Sequence, residues 1–135
     1  MITRDELLQQ SQSDYMNRVQ LDFFRDLLLE SKAEISQNIE ETKAELGELQ
    51  HNNDELDRAT MEEETMVKLR IIERETRLLH KIEASLKRIA LGEYGYCEVT
   101  GEPIGIPRLL ARPTATVCAE EKTRQEVIEK YYRSE

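Results

Sequence analysis

The sequence predicts a mainly α protein, a long antiparallel coiled-coil hairpin on a small globular base, and three observations predict it. Residues 1–91 hold one Gly (Gly47) and no Pro, whereas residues 92–135 hold Gly92, Gly95, Gly101, Gly105, Pro103, Pro107 and Pro113. Gly and Pro punctuate local structure, so the boundary near residues 90–92 separates long helices from a turn-rich unit. Before that boundary, apolar residues recur at alternating steps of four and three, the spacing of a coiled-coil seam. One short polar segment, His51-Asn52-Asn53-Asp54-Glu55-Leu56-Asp57, interrupts the pattern.

Taken in chain order, residues 1–14 are polar and read as a loose tail. The hairpin occupies 15–91. Its first helix runs from about Tyr15 to Leu49, with Leu28, Lys32, Ile35, Ile39, Thr42, Leu46 and Leu49 as the seam and Lys32 and Thr42 as its weak positions. Phe23, Phe24 and Leu27 widen the apolar face at its start. The second helix runs from about Ala59 to Leu91, with Leu69, Ile72, Thr76, Leu79, Ile82, Leu86 and Ile89 as its stripe. The connecting segment is rich in turn and N-cap residues, which places the tip at 51–60. Two amphipathic helices with so short a connection fold back on each other. About 33 helical residues at 1.5 Å each make an arm of roughly 50 Å. Residues 92–135 read as turns and short strands around Gly95-Tyr96-Cys97 and 101–107, then a terminal helix from Glu120 to Tyr132.

Composition narrows the function. The net charge is −9, aromatics are 5% and charged residues 35%, which disfavours a thick core in a short chain. An acidic protein is a poor counterion-releasing ligand for DNA and a poor ligand for an anionic membrane. No run approaches the ~18 apolar residues of a spanning helix, and the N-terminus does not read as a signal peptide. Two Cys fit a reduced cytosol, so a soluble cytoplasmic protein is expected. The charge is also uneven: residues 51–64 hold one basic and six acidic groups, and residues 65–91 hold seven basic and three acidic ones. A generic coiled-coil spacer or adaptor accounts for the periodicity alone.

Three separated motifs go further. Tyr15-Met16-Asn17, Gln20-Leu21, Phe24-Arg25 and Leu28 stand at the start of the first helix. Asp54-Glu55-Leu56-Asp57-Arg58-Ala59 forms an Asp-x-x-Asp-x-Ala tip. Gly95-Tyr96-Cys97-Glu98, Gly101, Ile104-Gly105-Ile106, Arg108-Leu109, Ala111-Arg112-Pro113-Thr114-Ala115 and Cys118 follow in the turn-rich unit. Together, over about Tyr15 to Lys130, they resemble the DksA/TraR family of bacterial RNA polymerase-binding transcription factors. That resemblance implies a coiled coil on a globular base with a zinc-finger region and a C-terminal helix. It implies insertion of the coiled coil into the secondary channel of RNA polymerase. With guanosine tetraphosphate, such proteins alter open-complex stability in the stringent response, without sequence-specific DNA contacts.

The resemblance also implies site residues. Asp54, Asp57 and Ala59 form the polymerase-active tip: two carboxylates carried deep into a channel, and a small residue allowing close approach. Helix capping by Asp57 is the competing structural reading. Leu78, Lys81, Arg112 and Lys122, flanked by Arg74, match the nucleotide-binding positions, and several cationic donors suit pyrophosphate. The rest of the basic stem, Lys68, Arg70, Arg77, Lys87 and Arg88, reads mostly as a face pairing with the acidic first helix. The family's zinc form carries Cys-x-x-Cys twice; here the four positions are Cys97, Thr100, Cys118 and Glu121. Two thiols, a hydroxyl and a carboxylate are a poor tetrahedral set, so no metal is expected and the finger is degenerate. The expectation is a zinc-independent, non-enzymatic regulator without catalytic residues, acting as a monomer. The alternatives are a structural coiled-coil adaptor and a thiol-based redox-sensing regulator using Cys97 and Cys118.

Overall fold

The computed structural model describes residues 2–51 and 57–133. Among these residues, five α-helices follow in order: α1 (Arg4–Gln9), α2 (Arg18–His51), α3 (Arg58–Leu91), α4 (Ile106–Ala111) and α5 (Ala119–Arg133), with one 3-10 turn at Gln12–Asp14. The chain divides into two compact units, Leu29–Ala84 on one side and Met1–Leu28 with Ser85–Glu135 on the other.

Leu29–Ala84 is the paired-helix unit. On α2, Ile35, Ile39 and Leu49 are buried, with Lys32, Thr42 and Leu46 half-buried between them, as the spacing requires. Thr42 is tolerated there because its hydroxyl donates to the Asn38 carbonyl at 2.8 Å, satisfying the polar group within its own helix. On α3, the inward residues are Met61, Thr65, Lys68, Ile72, Glu75, Leu79 and Ile82. This corrects the sequence stripe at Leu69, while Thr76 is half-buried beside Glu75. Leu69 is 44% exposed, and Lys68 takes the seam position. The heptad phase decides this: Glu75 and Lys68 lie one and two heptads before the buried Ile82. Lys68 fits because its aliphatic stem lies along the seam while Nζ reaches Glu45 Oε2 on α2 at 2.9 Å. That ion pair joins the late part of α2 to the early part of α3, the register of an antiparallel pair.

In the second unit, α1 is not a loose tail. The Thr3 hydroxyl accepts from the Glu6 N–H at 3.2 Å and caps the helix, and Leu7 is 1% exposed. The side chain of buried Gln20 holds the segment that follows, donating to Gln10 Oε1 at 2.7 Å and accepting from the Met16 N–H at 2.7 Å. One apolar residue in a polar run carries no periodic signal, so the sequence could not reveal this docking.

Phe24, Leu28, Tyr94, Leu109 and Leu7 form the centre of this unit's core. The Phe24 and Tyr94 rings meet at 5.6 Å, and the Tyr94 hydroxyl donates to the Pro113 carbonyl at 2.7 Å. The Tyr15 hydroxyl donates to the Gly95 carbonyl at 2.6 Å and accepts from the Gly105 N–H at 2.9 Å. The expected short strands are reduced, among the described residues, to one antiparallel bridge between Tyr96 and Pro103. Pro103 has no N–H to extend a ladder, and the Gly101 N–H closes a tight turn on the Cys97 carbonyl at 2.9 Å. α4 was also unexpected. Its sequence Gly105-Ile106-Pro107 reads as a turn, yet Pro in the first turn of a helix is pre-organised for it.

Candidate functional site

The site residues fall into three groups. At the start of α3, the Asp57 carboxylate accepts from the Ala59 N–H at 3.1 Å, and its carbonyl accepts from the Met61 N–H at 2.9 Å. Asp57 therefore caps the helix, satisfying a donor that has no intrahelical partner. Capping uses one oxygen and leaves the carboxylate exposed, so the same residue can still present charge to a partner. Ala59 is exposed beside it. Asp54 lies outside the described residues.

The second group is basic. Arg74, Leu78 and Lys81 lie at steps of four and three on α3, hence on one side of it, and all are exposed. They belong to Leu29–Ala84, whereas Arg112 and Lys122 belong to the other unit. Arg112 follows α4 and is exposed, and Lys122 lies in the first turn of α5 with Glu126 Oε1 at 4.0 Å. The basic stem does not pair generally with α2. Among the described residues only Lys68 does so. Arg77 Nη1 meets Glu73 at 2.9 Å and Arg74 Nη2 meets Glu75 at 3.6 Å, both within α3. Arg88 has a different task that the sequence did not signal. Its Nη2 donates to the carbonyls of Glu93 at 3.1 Å and Tyr96 at 2.8 Å, and its Nη1 lies 3.7 Å from Glu98. It ties the end of α3 to the turn that precedes Cys97.

The third group is the turn at Cys97–Thr100 and the start of α5 at Cys118–Glu121. Cys97 and Cys118 are buried free thiols. Burial pushes the Cys97 thiol up, but the Thr100 hydroxyl and the backbone N–H groups of Thr100, Cys118 and Val99 point at its sulfur and bring it down to about 6. The Glu98 N–H also donates to the Thr116 carbonyl at 2.9 Å, tying the first turn to the segment that leads into Cys118.

Comparison with known proteins decides the family. A model described as the DksA (DnaK suppressor protein) N-terminal domain matches residues 20–89, and one described as the prokaryotic dksA/traR C4-type zinc finger matches residues 92–127. A Caulobacter vibrioides protein named RNA polymerase-binding transcription factor DksA is 43% identical over 122 residues, covering 90% of this chain and 86% of its own. The chain belongs to the DksA/TraR family. The Escherichia coli K12 relative of the same name is 41% identical over 118 residues, covering 87% of this chain and 78% of its own. The solved structure of transcription factor DksA2 from Pseudomonas aeruginosa superposes with a TM-score of 0.88 at 50% identity, covering 95% of this chain and 99% of that one. The long helical hairpin and finger-like region are thus those of the family.

A C4-type finger implies zinc, and the residues present do not fit it. Thr100 offers a neutral hydroxyl that is already donating to Cys97 and accepting from the Glu102 N–H at 3.3 Å. Glu121 is buried, and its Oε1 is engaged by Arg124 at 3.5 Å and Gln125 at 3.4 Å within α5. Among the described residues, no three His, Cys, Asp or Glu side chains are grouped to hold a metal ion. Structural zinc requires four converging N or S ligands, and this set supplies two.

Proposed function

We propose that this protein is a cytoplasmic transcription regulator that binds RNA polymerase. It enters the secondary channel with the α2–α3 hairpin and, with guanosine tetraphosphate, alters open-complex stability in the stringent response. What carries the reading is the exposed pair Asp57 and Ala59 at the start of α3, in a chain matched to the family along most of its length. Asp54 and Asp57 present negative charge to the polymerase interior, and Ala59 lets the hairpin end approach closely. Lys81, Arg112 and Lys122, with Arg74 as a flanking candidate, supply cations for the nucleotide's phosphates, and Leu78 is the apolar residue among the nucleotide-binding positions. The protein acts as a monomer without zinc, catalysis or sequence-specific DNA contact, since one arm serves one channel.

In vitro transcription from a short-lived promoter complex tests this. Wild-type protein is expected to inhibit, and more strongly with guanosine tetraphosphate. No effect in either condition overturns the reading and leaves the structural adaptor. A second reading is thiol-based regulation, favoured by the lowered pKa of Cys97 beside a second thiol. It requires loss of free thiols on mild oxidation together with changed transcription output, and unchanged output removes it.

A further inference from the structure

The ligand shortfall that excludes zinc leaves two buried thiols without a task. Cys97 is 3% exposed and Cys118 is 9% exposed, and both are free. They stand in one place, because the Cys118 N–H points at the Cys97 sulfur. A cysteine sulfur lies one short side chain from its own amide, so the second thiol is held beside the first. Each sulfur swings on a single χ1 torsion, and the two can converge without a backbone shift.

The surroundings of Cys97 suit an anionic sulfur. It accepts from the Thr100 hydroxyl and from the N–H groups of Val99, Thr100 and Cys118. Four donors aimed at one sulfur stabilise negative charge on it. The scaffold is fixed on both sides. The Gly101 N–H closes the first turn on the Cys97 carbonyl at 2.9 Å, and Arg108 Nε pins the Val117 carbonyl at 3.0 Å, next to Cys118. The cover is thin: Glu98, Val99, Thr100 and Gly101 are all exposed, so an ion has to pass only one turn to reach the sulfurs.

No third ligand accompanies the thiols. Among the described residues, no three His, Cys, Asp or Glu side chains are grouped to hold a metal ion. Glu121 Oε1 is taken by Arg124 and Gln125, and His51 and His80 belong to the paired-helix unit. Structural zinc and iron–sulfur clusters need four ligands, and calcium and magnesium need oxygens. Of the metals that thiolates select, copper(I) remains, a soft ion that two sulfurs can hold.

We propose that Cys97 and Cys118 form a two-coordinate site for a soft monovalent ion, copper(I). Binding breaks both S–H bonds, forms two sulfur–metal bonds and releases two protons to solvent, with no change in the ion's oxidation state. The bis-thiolate carries one net negative charge, which the four donors at Cys97 offset. The bound ion ties the turn at 97–100 to the residue that opens into α5. The site is complete in the isolated chain and needs neither polymerase nor nucleotide.

Reduced full-length protein is titrated without oxygen with copper(I) supplied as its acetonitrile complex. A parallel titration uses silver(I), which shares the preference for two sulfurs. Either ion should give an ultraviolet sulfur-to-metal absorption that saturates at one equivalent, and should block both thiols toward a thiol reagent. The melting temperature should rise by roughly 5 °C or more, while the oligomeric state stays the same. X-ray absorption of the loaded wild type should show two sulfur neighbours. Cys97→Ser and Cys118→Ser, checked for helix content, should each lose the ion to a monothiol competitor about tenfold more readily or worse. Glu121→Gln should bind as wild type does, and zinc should give no shift. Saturation without a rise in melting temperature overturns the site. So do three or more neighbours around the ion, loading that joins two chains, or retention by either serine variant equal to that of wild type. Loss of both thiols without a metal absorption overturns it in favour of a disulfide.

Discussion

Asp57 carries two roles that a pair of substitutions separates. Its carboxylate caps α3 through the Ala59 N–H at 3.1 Å, and the same exposed group is proposed to present charge inside polymerase. Asparagine is about as good an N-cap as aspartate, since its side-chain oxygen accepts the same bond. Asp57→Asn therefore keeps the cap and loses the charge, giving up only the attraction of an anion for the helix N-terminus, about 0.3–1 kcal/mol. Asp57→Ala loses both, at a cost of about 1 kcal/mol for the cap, before the charge is counted. Thermal unfolding should order the three as wild type, Asn and Ala, with the Ala variant lower by a few degrees, about 4 °C per kcal/mol at this size. Transcription should order them differently. Both variants should lose inhibition of a short-lived promoter complex, the Asn variant as completely as the Ala variant. If Asp57→Asn inhibits as strongly as wild type while Asp57→Ala is weakened, the residue acts by capping, and the charged-tip assignment falls.

Three further outcomes are expected. Tyr94→Phe removes the hydrogen bond to the Pro113 carbonyl and should cost about 1–2 kcal/mol in chemical denaturation, because the acceptor loses its partner. Burial raises the Tyr94 pKa above its ordinary value of 10, so its contribution to stability is fully present below pH 10 and is lost as pH rises through the folded-state value. Alkaline titration followed by circular dichroism should show that loss in wild type and a smaller one in Tyr94→Phe, with half-buried Tyr15, whose pKa is also raised by burial, supplying part of the remainder. Gly95 has φ +92°, and a Cβ there would stand 2.6 Å from Met16 Sδ. Gly95→Ala should therefore destabilise by about 2 kcal/mol or more, and a melting temperature equal to wild type would contradict the geometry. Finally, purified protein should carry no stoichiometric zinc by elemental analysis, and a strong chelator should leave its melting curve unchanged. Zinc at one equivalent would refute the ligand argument.

How much of this was legible in the sequence depends on the range of the interaction. The two long helices announce themselves because seam residues repeat locally, and the predicted start of the second, Ala59, lies one residue from its observed start at Arg58. The seam's details were less legible. Leu69 looks like the better seam residue, and only the continued heptad count from Ile82 shows that Lys68 takes the place. α1 and α4 were missed because their anchors are single residues, Leu7 and Leu109, whose burial depends on neighbours distant in the chain. Asp57 was legible as a cap, since capping follows from residue type and position. The task of Arg88 was not, because its acceptors are backbone carbonyls and carry no sequence signature.

The same distinction bears on how a finger-like unit whose two turns lack four metal ligands is held together. In a zinc finger the ion crosslinks two short turns and supplies much of the folding free energy. Here the corresponding turns are crosslinked by other means. The Glu98 N–H reaches the Thr116 carbonyl, and the Cys118 N–H points at the Cys97 sulfur. Arg108 Nε donates to the Val117 carbonyl at 3.0 Å, and Arg88 holds the Tyr96 carbonyl. Each such bond is worth about 1 kcal/mol net, more where the donor is charged. None alone replaces a metal, but together they tie both segments into the unit whose core holds the Phe24 and Tyr94 rings. Thr100 contributes to this arrangement from a position that the C4-type pattern gives to a cysteine. Its hydroxyl turns toward Cys97 as a hydrogen-bond donor, which a cysteine could match only weakly. Restoring Thr100→Cys and Glu121→Cys together should therefore not simply add a zinc site. It removes the Thr100 donor and the Glu121 ion pair with Arg124, so the apo form should melt below wild type and recover only when zinc is supplied. An apo double variant as stable as wild type would show that these side chains do not hold the turns.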